Sequence, residues 1–293
     1  MSQYIVRKEL FDGYDYIYLP EKFTETELKL YSNWVYGNVH RIYGKEYDTL
    51  LNTEWVARHY LASKMVYSAS IMMSSLEYSC EMNLKIVKPY LSYYAVLTCC
   101  RALLFVLPNQ SWKDSGFIDA THSKIANVIK DACSKLNTEF GNWVNSKIEL
   151  LRVNRELFSY RFPASGIVPE CREMDIAEVK ELCSILCEIA QLTSEQIENY
   201  YTKNFSEIKL SVDINSDYIQ KLFCYPGHGS SIIDEEDLYR IDYIRRKQPL
   251  PTSIWMMMSE GMTEDFFAPW CPEDDNTGMY NPDIDWSIIF QVP

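Results

Sequence analysis

Three arginines and one histidine have the chemistry to hold an anion or to move a proton in this chain. Arg101 is the single charge in the run from Pro89 to Trp112, PYLSYYAVLTCCRALLFVLPNQSW, so folding must place its guanidinium among Tyr, Leu, Val and Phe. Taking such a charge out of water costs several kcal/mol unless an acceptor meets it. The planar fork of arginine accepts carboxylate and phosphate equally well, so two roles fit: an internal ion pair with Glu149 or Glu156, or the wall of a phosphate or nucleotide pocket. His122 stands in Thr121-His122-Ser123 at the start of a helical pattern, where free backbone N–H groups favour an anion and the flanking hydroxyls favour capping. No Ser/His/Asp or Cys/His arrangement can be assembled around it. Arg152 and Arg155 are three apart and share one side of a helix. Either they form a solvated face with Lys147 and Glu149, or they face Arg101. The expectation is that Arg101, Arg152 and Arg155 approach one another or a shared acidic partner.

Other motifs carry less. The segment Arg240-Ile-Asp-Tyr-Ile-Arg-Arg-Lys follows Asp234-Glu235-Glu236-Asp237, which is expected to neutralise it rather than leave it free for nucleic acid. His228 in Pro-Gly-His-Gly-Ser-Ser lacks the spacing and the lysine of a phosphate loop, and reads as a turn. The net charge is −13, and no Lys, Arg or His follows Lys247, while eight acids do. A one-signed tail repels nucleic acid and anionic membranes and attracts basic partners. Within it, Trp255, Phe266, Phe267 and Trp270 are either core or aromatic anchors for a partner protein. The nine cysteines form no CxxC pairs, which points to reduced core thiols in the cytoplasm, with no metal and no cofactor. No secretory signal opens the sequence.

These residues need elements to position them. Residues 1–20 read as an extended or hairpin stretch around Asp12-Gly13, and Glu21–Gly44 has helical character after Thr24. Trp55 to Val87 lacks Gly and Pro and reads as a long helix. Pro89 opens the next helix and Pro108 ends it. That helix is long enough to tempt a membrane assignment, but Arg101, Ser, Thr and several Tyr favour a buried bundle helix. THSKIANVIKDACSKL, the segment from Trp143 to Tyr160, and a segment opened by Asp175 and Glu178 as a capping box supply three amphipathic helices. After 204 the character changes: residues 205–215 alternate like a strand, CYPGHGSS is a turn cluster, and prolines punctuate the rest. The expected fold is mainly α, an antiparallel bundle over 55–204, with small irregular or β elaborations at 1–54 and 205–293.

Three blocks resemble a known family. SYYAVLTCCRALLF, then THSKIANVI, then LLRVNRELFSYRF are similar to the HEPN superfamily (higher eukaryote and prokaryote nucleotide-binding), through Tyr93, Tyr94, Arg101, Thr121, His122, Ser123, Arg152, Arg155, Ser159 and Tyr160. The resemblance implies an up-and-down helical bundle that tends to dimerise, in families tied to toxin–antitoxin modules, antiphage defence and RNA cleavage. HEPN ribonucleases carry an Arg followed by four to six residues and a His, and no arginine here has a histidine at that distance. The resemblance therefore implies a non-catalytic module that binds RNA or a nucleotide through Arg101, His122, Arg152, Arg155 and Tyr160, together with a protein partner. The alternatives are an unconventional ribonuclease using His122, and a structural subunit docking through the tail.

Overall fold

The computed structural model describes residues 13–44, 47–111, 117–166, 174–205, 210–226, 231–258, 260–273 and 278–292. The protein is mainly α, and its long helices form a bundle. In chain order these are α1 (Tyr18–Lys22), α2 (Glu25–Tyr43), α3 (Thr49–Glu81), α4 (Lys88–Val106), α5 (His122–Cys133), α6 (Thr138–Tyr160) and α7 (Ile176–Phe205). Then come α8 (Asp217–Phe223), strands β1 (Cys224–Pro226) and β2 (Ser231–Ile233), α9 (Glu235–Lys247), α10 (Ile254–Met257) and α11 (Glu260–Phe267), with 3-10 turns at Ala268–Trp270 and Pro282–Ile284.

Caps explain most of the helix starts. Thr24 and Glu27 form a reciprocal capping box on α2, and Asp48, Thr121 and Asn137 each accept a backbone N–H at the head of α3, α5 and α6. Each such cap is worth about 1 kcal/mol. At the head of α7, Asp175 accepts from the Ile176 N–H at 2.8 Å, but Glu178 pairs with Lys147 on α6 instead of completing the expected capping box. The turn between α3 and α4 closes through Leu84 N–H to Ser79 O at 2.7 Å, with Asn83 at φ 57°. That left-handed conformation is one asparagine tolerates.

α4 is the hub, packing against α3, α5, α6 and α7. Among the described residues it alone is long and apolar enough to cross a membrane, and 78% of that stretch is buried inside the fold. Its apolar surface is therefore consumed by its neighbours. Cys99 and Cys100 lie in this core with Cys133, Cys183 and Cys187, and the Cys99 and Cys187 sulfurs are 3.6 Å apart as free thiols. Burial pushes the Cys99, Cys100 and Cys133 thiols up, which keeps them unreactive.

Two sequence expectations are corrected at the edges of the bundle. Residues 210–215 form no strand, and the β structure is a two-stranded antiparallel ladder pairing Cys224 with Ile233 and Pro226 with Ser231. The turn cluster between those strands, with His228, lies outside the described residues, as does the expected pivot at Asp12. Residues 18–20, the end of the stretch expected to be extended or a hairpin, open helix α1 because Glu188 of α7 receives its first N–H groups: Ile17 at 2.8 Å, Tyr18 at 3.0 Å and Leu19 at 2.8 Å. Three donors on one buried carboxylate make a strong anchor. Glu188→Gln replaces one acceptor oxygen by a donor facing those N–H groups, and should cost about 1–2 kcal/mol. Urea unfolding together with limited proteolysis at residues 13–23 checks this: stability and cleavage both at wild-type level would refute the anchor.

The segment after 205 lies along α3 over much of its length. Asn52 Nδ2 donates to Ser211 O at 3.0 Å and Pro249 O at 2.7 Å, Tyr60 Oη donates to Asp237 Oδ1 at 2.7 Å, and Tyr67 Oη bonds Thr263 Oγ1 at 2.9 Å. Tyr78 Oη then donates to Gly278 O at 2.9 Å. Finally Phe290 stacks on Tyr14 with ring centres 4.5 Å apart, so early and late segments meet.

The deepest charge in the bundle is Arg58, not Arg101. Arg58 on α3 is fully buried and donates Nε to Phe105 O at 2.7 Å and its terminal nitrogens to Leu107 O at 2.8 Å, Gln110 O at 2.9 Å and Glu54 Oε1 at 3.0 Å. Its guanidinium lies 4.0 Å from the Trp55 ring centre and 5.1 Å from that of Phe117. It satisfies the carbonyls left open where α4 ends, a requirement every helix terminus carries.

Candidate functional site

The N-terminus of α5 meets the middle of α6 and the second turn of α4, and the candidate residues gather there. At the far end of α5, Gly141 lets the first turn of α6 close on the last turn of α5. A Cβ at that position would lie 2.1 Å from Ser134 Oγ and 2.8 Å from the Lys130 carbonyl, so only glycine lets α6 sit this close to α5.

At the centre Tyr93 Oη bonds His122 Nδ1 at 2.8 Å, and the Arg155 guanidinium carbon stands 5.2 Å from the Tyr93 ring centre. Tyr93 is 1% exposed. Burial pushes its hydroxyl up to about 12, against the pull of Arg155, so the phenol stays protonated and holds the imidazole. The His122 ring sits below its usual range because of partial burial and then the positive fields of Arg101 and Arg155, opposed by Glu156. It is therefore neutral at pH 7. Tyr94, 37% exposed, presents its edge toward His122 at 6.3 Å and completes one aromatic wall.

Arg155 is the least satisfied cation of the group. Its Nε is buried with no hydrogen-bond partner, and its ion pair with Glu156 is long, at 3.6 Å. A buried donor without a partner costs about 1–3 kcal/mol, which marks it as a position where an acceptor would bind favourably. Arg152 is the opposite case. It donates Nε and one terminal nitrogen to Glu149 Oε2 at 3.1 and 2.8 Å and the other to Glu156 Oε1 at 2.8 Å, and those bonds raise its pKa.

Arg101 does not pair with Glu149 or Glu156, which are taken by Arg152. Its guanidinium donates to Ile118 O at 3.0 Å from a half-buried position, and burial lowers its pKa while the charge of Asp119 acts in the other direction. Of the three arginines expected to converge, Arg152 and Arg155 share Glu156 and Arg101 does not, although the charges of Arg101 and Arg155 both lower the His122 pKa. Tyr160, in contrast, projects from the last turn of α6 at 76% exposure.

Arg101, Arg152 and Arg155 stand against Asp119, Glu149 and Glu156, and the exposed Lys124 lies in the first turn of α5, two residues from His122. Carboxylates thus offset most of the positive charge that would steer a long polyanion. Recognition here would be short-range, through Arg155, His122 and the α5 backbone. No group of His, Cys, Asp or Glu among the described residues could hold a metal ion.

Elsewhere the candidates fall away. Arg245 and Arg246 both pair with Asp242 on their own helix, rather than with the acids at 234–237. Arg240 is buried, with its guanidinium 5.9 Å from the Phe266 ring centre. Of the four expected partner anchors, Phe267 is fully buried against Tyr67, Phe266 stacks on Tyr67 at 5.0 Å, and Trp255 is half-buried with its N–H on Gln191 Oε1. Only Trp270 remains open, at 60% exposure. Sequence reasoning missed Tyr93 as the residue that orients His122, although the Tyr-Tyr pair opening the α4 motif was the available signal.

Neither a family model, nor a curated protein, nor a solved structure matches this chain.

Proposed function

We propose that this protein is a HEPN-like, non-catalytic binding component of a cytoplasmic prokaryotic defence or toxin–antitoxin system, and that Tyr93, His122 and Arg155 take a nucleotide or a single phosphate of RNA. The supporting observation is the 2.8 Å bond from Tyr93 to His122 beneath Arg155, which joins one residue from each of the three blocks that carry the resemblance. The ligand phosphate would receive the unpartnered Arg155 Nε–H and the N–H groups at the head of α5. The largely offset local charge favours one phosphate over an extended strand. Titration with ATP, inorganic phosphate and a labelled single-stranded RNA tests the reading. Binding should weaken at least tenfold, roughly 1.4 kcal/mol, in His122→Ala and Arg155→Lys while the melting temperature holds. Absence of binding by all three probes at millimolar concentration would reject it.

A ribonuclease reading is favoured by one feature, a neutral imidazole oriented by a hydroxyl, which is the state a general base requires. RNA cleavage abolished by His122→Ala would select it over the binding reading.

A further inference from the structure

The surface formed by residues 261–273 and 278–292 exposes apolar side chains within a field of one sign. Trp270 is 60% exposed and Ile284 is 82% exposed, while Phe267, beside Trp270 in the chain, is fully buried and packs on Trp286 at 6.3 Å. The two open side chains come from separate 3-10 turns that this ring contact brings together, since Phe267 caps the turn holding Trp270 and Trp286 follows two residues after Ile284. Around them stand Glu264, Asp265, Glu273, Asp283 and Asp285, all exposed. Among the described residues, none of these five is held in an ion pair. No cation follows Lys247 in the sequence to answer them.

An exposed tryptophan beside an exposed isoleucine has the composition of a binding hot spot, where aromatic anchors supply affinity and rim charges supply selectivity. The sign of the rim excludes several occupants. Nucleic acid and anionic membranes are repelled. A second copy docking face to face would set the same carboxylates against themselves, because a two-fold contact joins identical patches. We propose that Trp270 and Ile284 anchor a basic amphipathic segment of a partner protein, with its apolar side on these two residues and its Lys or Arg side chains on the surrounding carboxylates. This surface is separate from the His122 site, and His122→Ala should leave it intact.

The test uses the full chain and a fluorescent peptide of Leu and Lys at helical spacing, with a Leu/Glu peptide and polylysine as controls. The Leu/Lys peptide should bind, and the affinity should fall at least tenfold in the Trp270→Ser, Ile284→Ser double variant with an unchanged melting temperature. Glu264→Lys with Asp265→Lys should weaken it comparably and flatten its salt dependence. Equal binding of the Leu/Glu peptide, or wild-type affinity in the double serine variant, would overturn the proposal. Polylysine binding as tightly as the Leu/Lys peptide would reduce the surface to acidity alone and also overturn it. A concentration-dependent doubling of mass lost in Trp270→Ser would do so in favour of a second copy.

Discussion

Arg58→Ala should be the most damaging single substitution in the bundle, with a loss of about 3–5 kcal/mol. The side chain leaves behind a buried Glu54 carboxylate and three carbonyls, of Phe105, Leu107 and Gln110, that no water reaches easily. Each unpaired group retains its full desolvation cost. Arg58→Lys should recover little, because one ammonium cannot span acceptors placed around a planar fork or stack between Trp55 and Phe117. For a chain of this length the alanine variant should melt roughly 10 °C lower. Arg101→Ala, which removes one bond from a half-buried position, should cost about 1 kcal/mol. Thermal and urea denaturation of the two variants side by side decides the matter. Equal losses would mean that Arg58 is not the charge on which the end of α4 depends.

The second large effect is acid sensitivity centred on His59. Its ring is fully buried, and Nδ1 lies 2.5 Å from the Thr252 carbonyl, so Nδ1 carries the proton and Nε2 is a bare acceptor. Burial, then the neighbouring Arg58 charge, against the bond to Thr252, lowers its pKa from 6.5 to about 4. In the unfolded chain the imidazole takes up a proton near pH 6.5, which the fold refuses until about pH 4. The unfolded state therefore binds more protons across that window, and stability falls as pH drops from 6.5 toward 4. The loss should reach roughly 2–3 kcal/mol at pH 4.5. His59→Asn keeps a donor near Thr252 and cannot titrate. Its stability deficit relative to wild type should therefore shrink by that amount between pH 7 and pH 4.5. A deficit that stays constant with pH would show that His59 is not the group being kept neutral.

The contrast between Arg58 and Arg101 shows what the sequence could reveal. α4 was legible because Pro89 and Pro108 bracket it and a single charge interrupts it, and α5 and α6 were legible from their helical periodicity. Arg101 looked buried because its sequence neighbours are apolar, yet burial is set by neighbours in space, and its position on α4 faces the edge near Ile118. Arg58 carried no signal of its own in the sequence, because a Glu and an Arg four apart have the spacing of any helix-surface pair. The informative signal was that polar and apolar residues from Asn52 to Ser63 follow no single face, and every one of these residues is buried. Helix packing of that kind on all sides depends on elements that come more than 150 residues later. The described part of the strand expected at 205–215, residues 210–215, is not a strand for a related reason. Alternation there reflects packing along α3, where Asp213 N–H bonds Thr53 Oγ1 at 2.8 Å, rather than pairing with another strand. At the site, types and spacing brought His122 and Arg155 into view, whereas the Tyr93 bond that orients the imidazole needed the crossing of two helices.

α7 receives both flanks of the chain on side chains one turn apart. Glu188 holds the backbone of residues 17–19, while Gln191, Ser194 and Glu198 hold the N–H groups of Trp255, Ile254 and Ser253. The carboxylate that fastens Ile17 lies 171 residues further along. At translation rates of about 5–20 residues per second, the first segment must wait roughly ten to thirty seconds after leaving the ribosome before its anchor exists. During that interval Tyr14, Tyr16 and Leu19, all buried in the finished fold, are open to whatever else is nearby, which makes the nascent chain the form of this protein most in need of a chaperone.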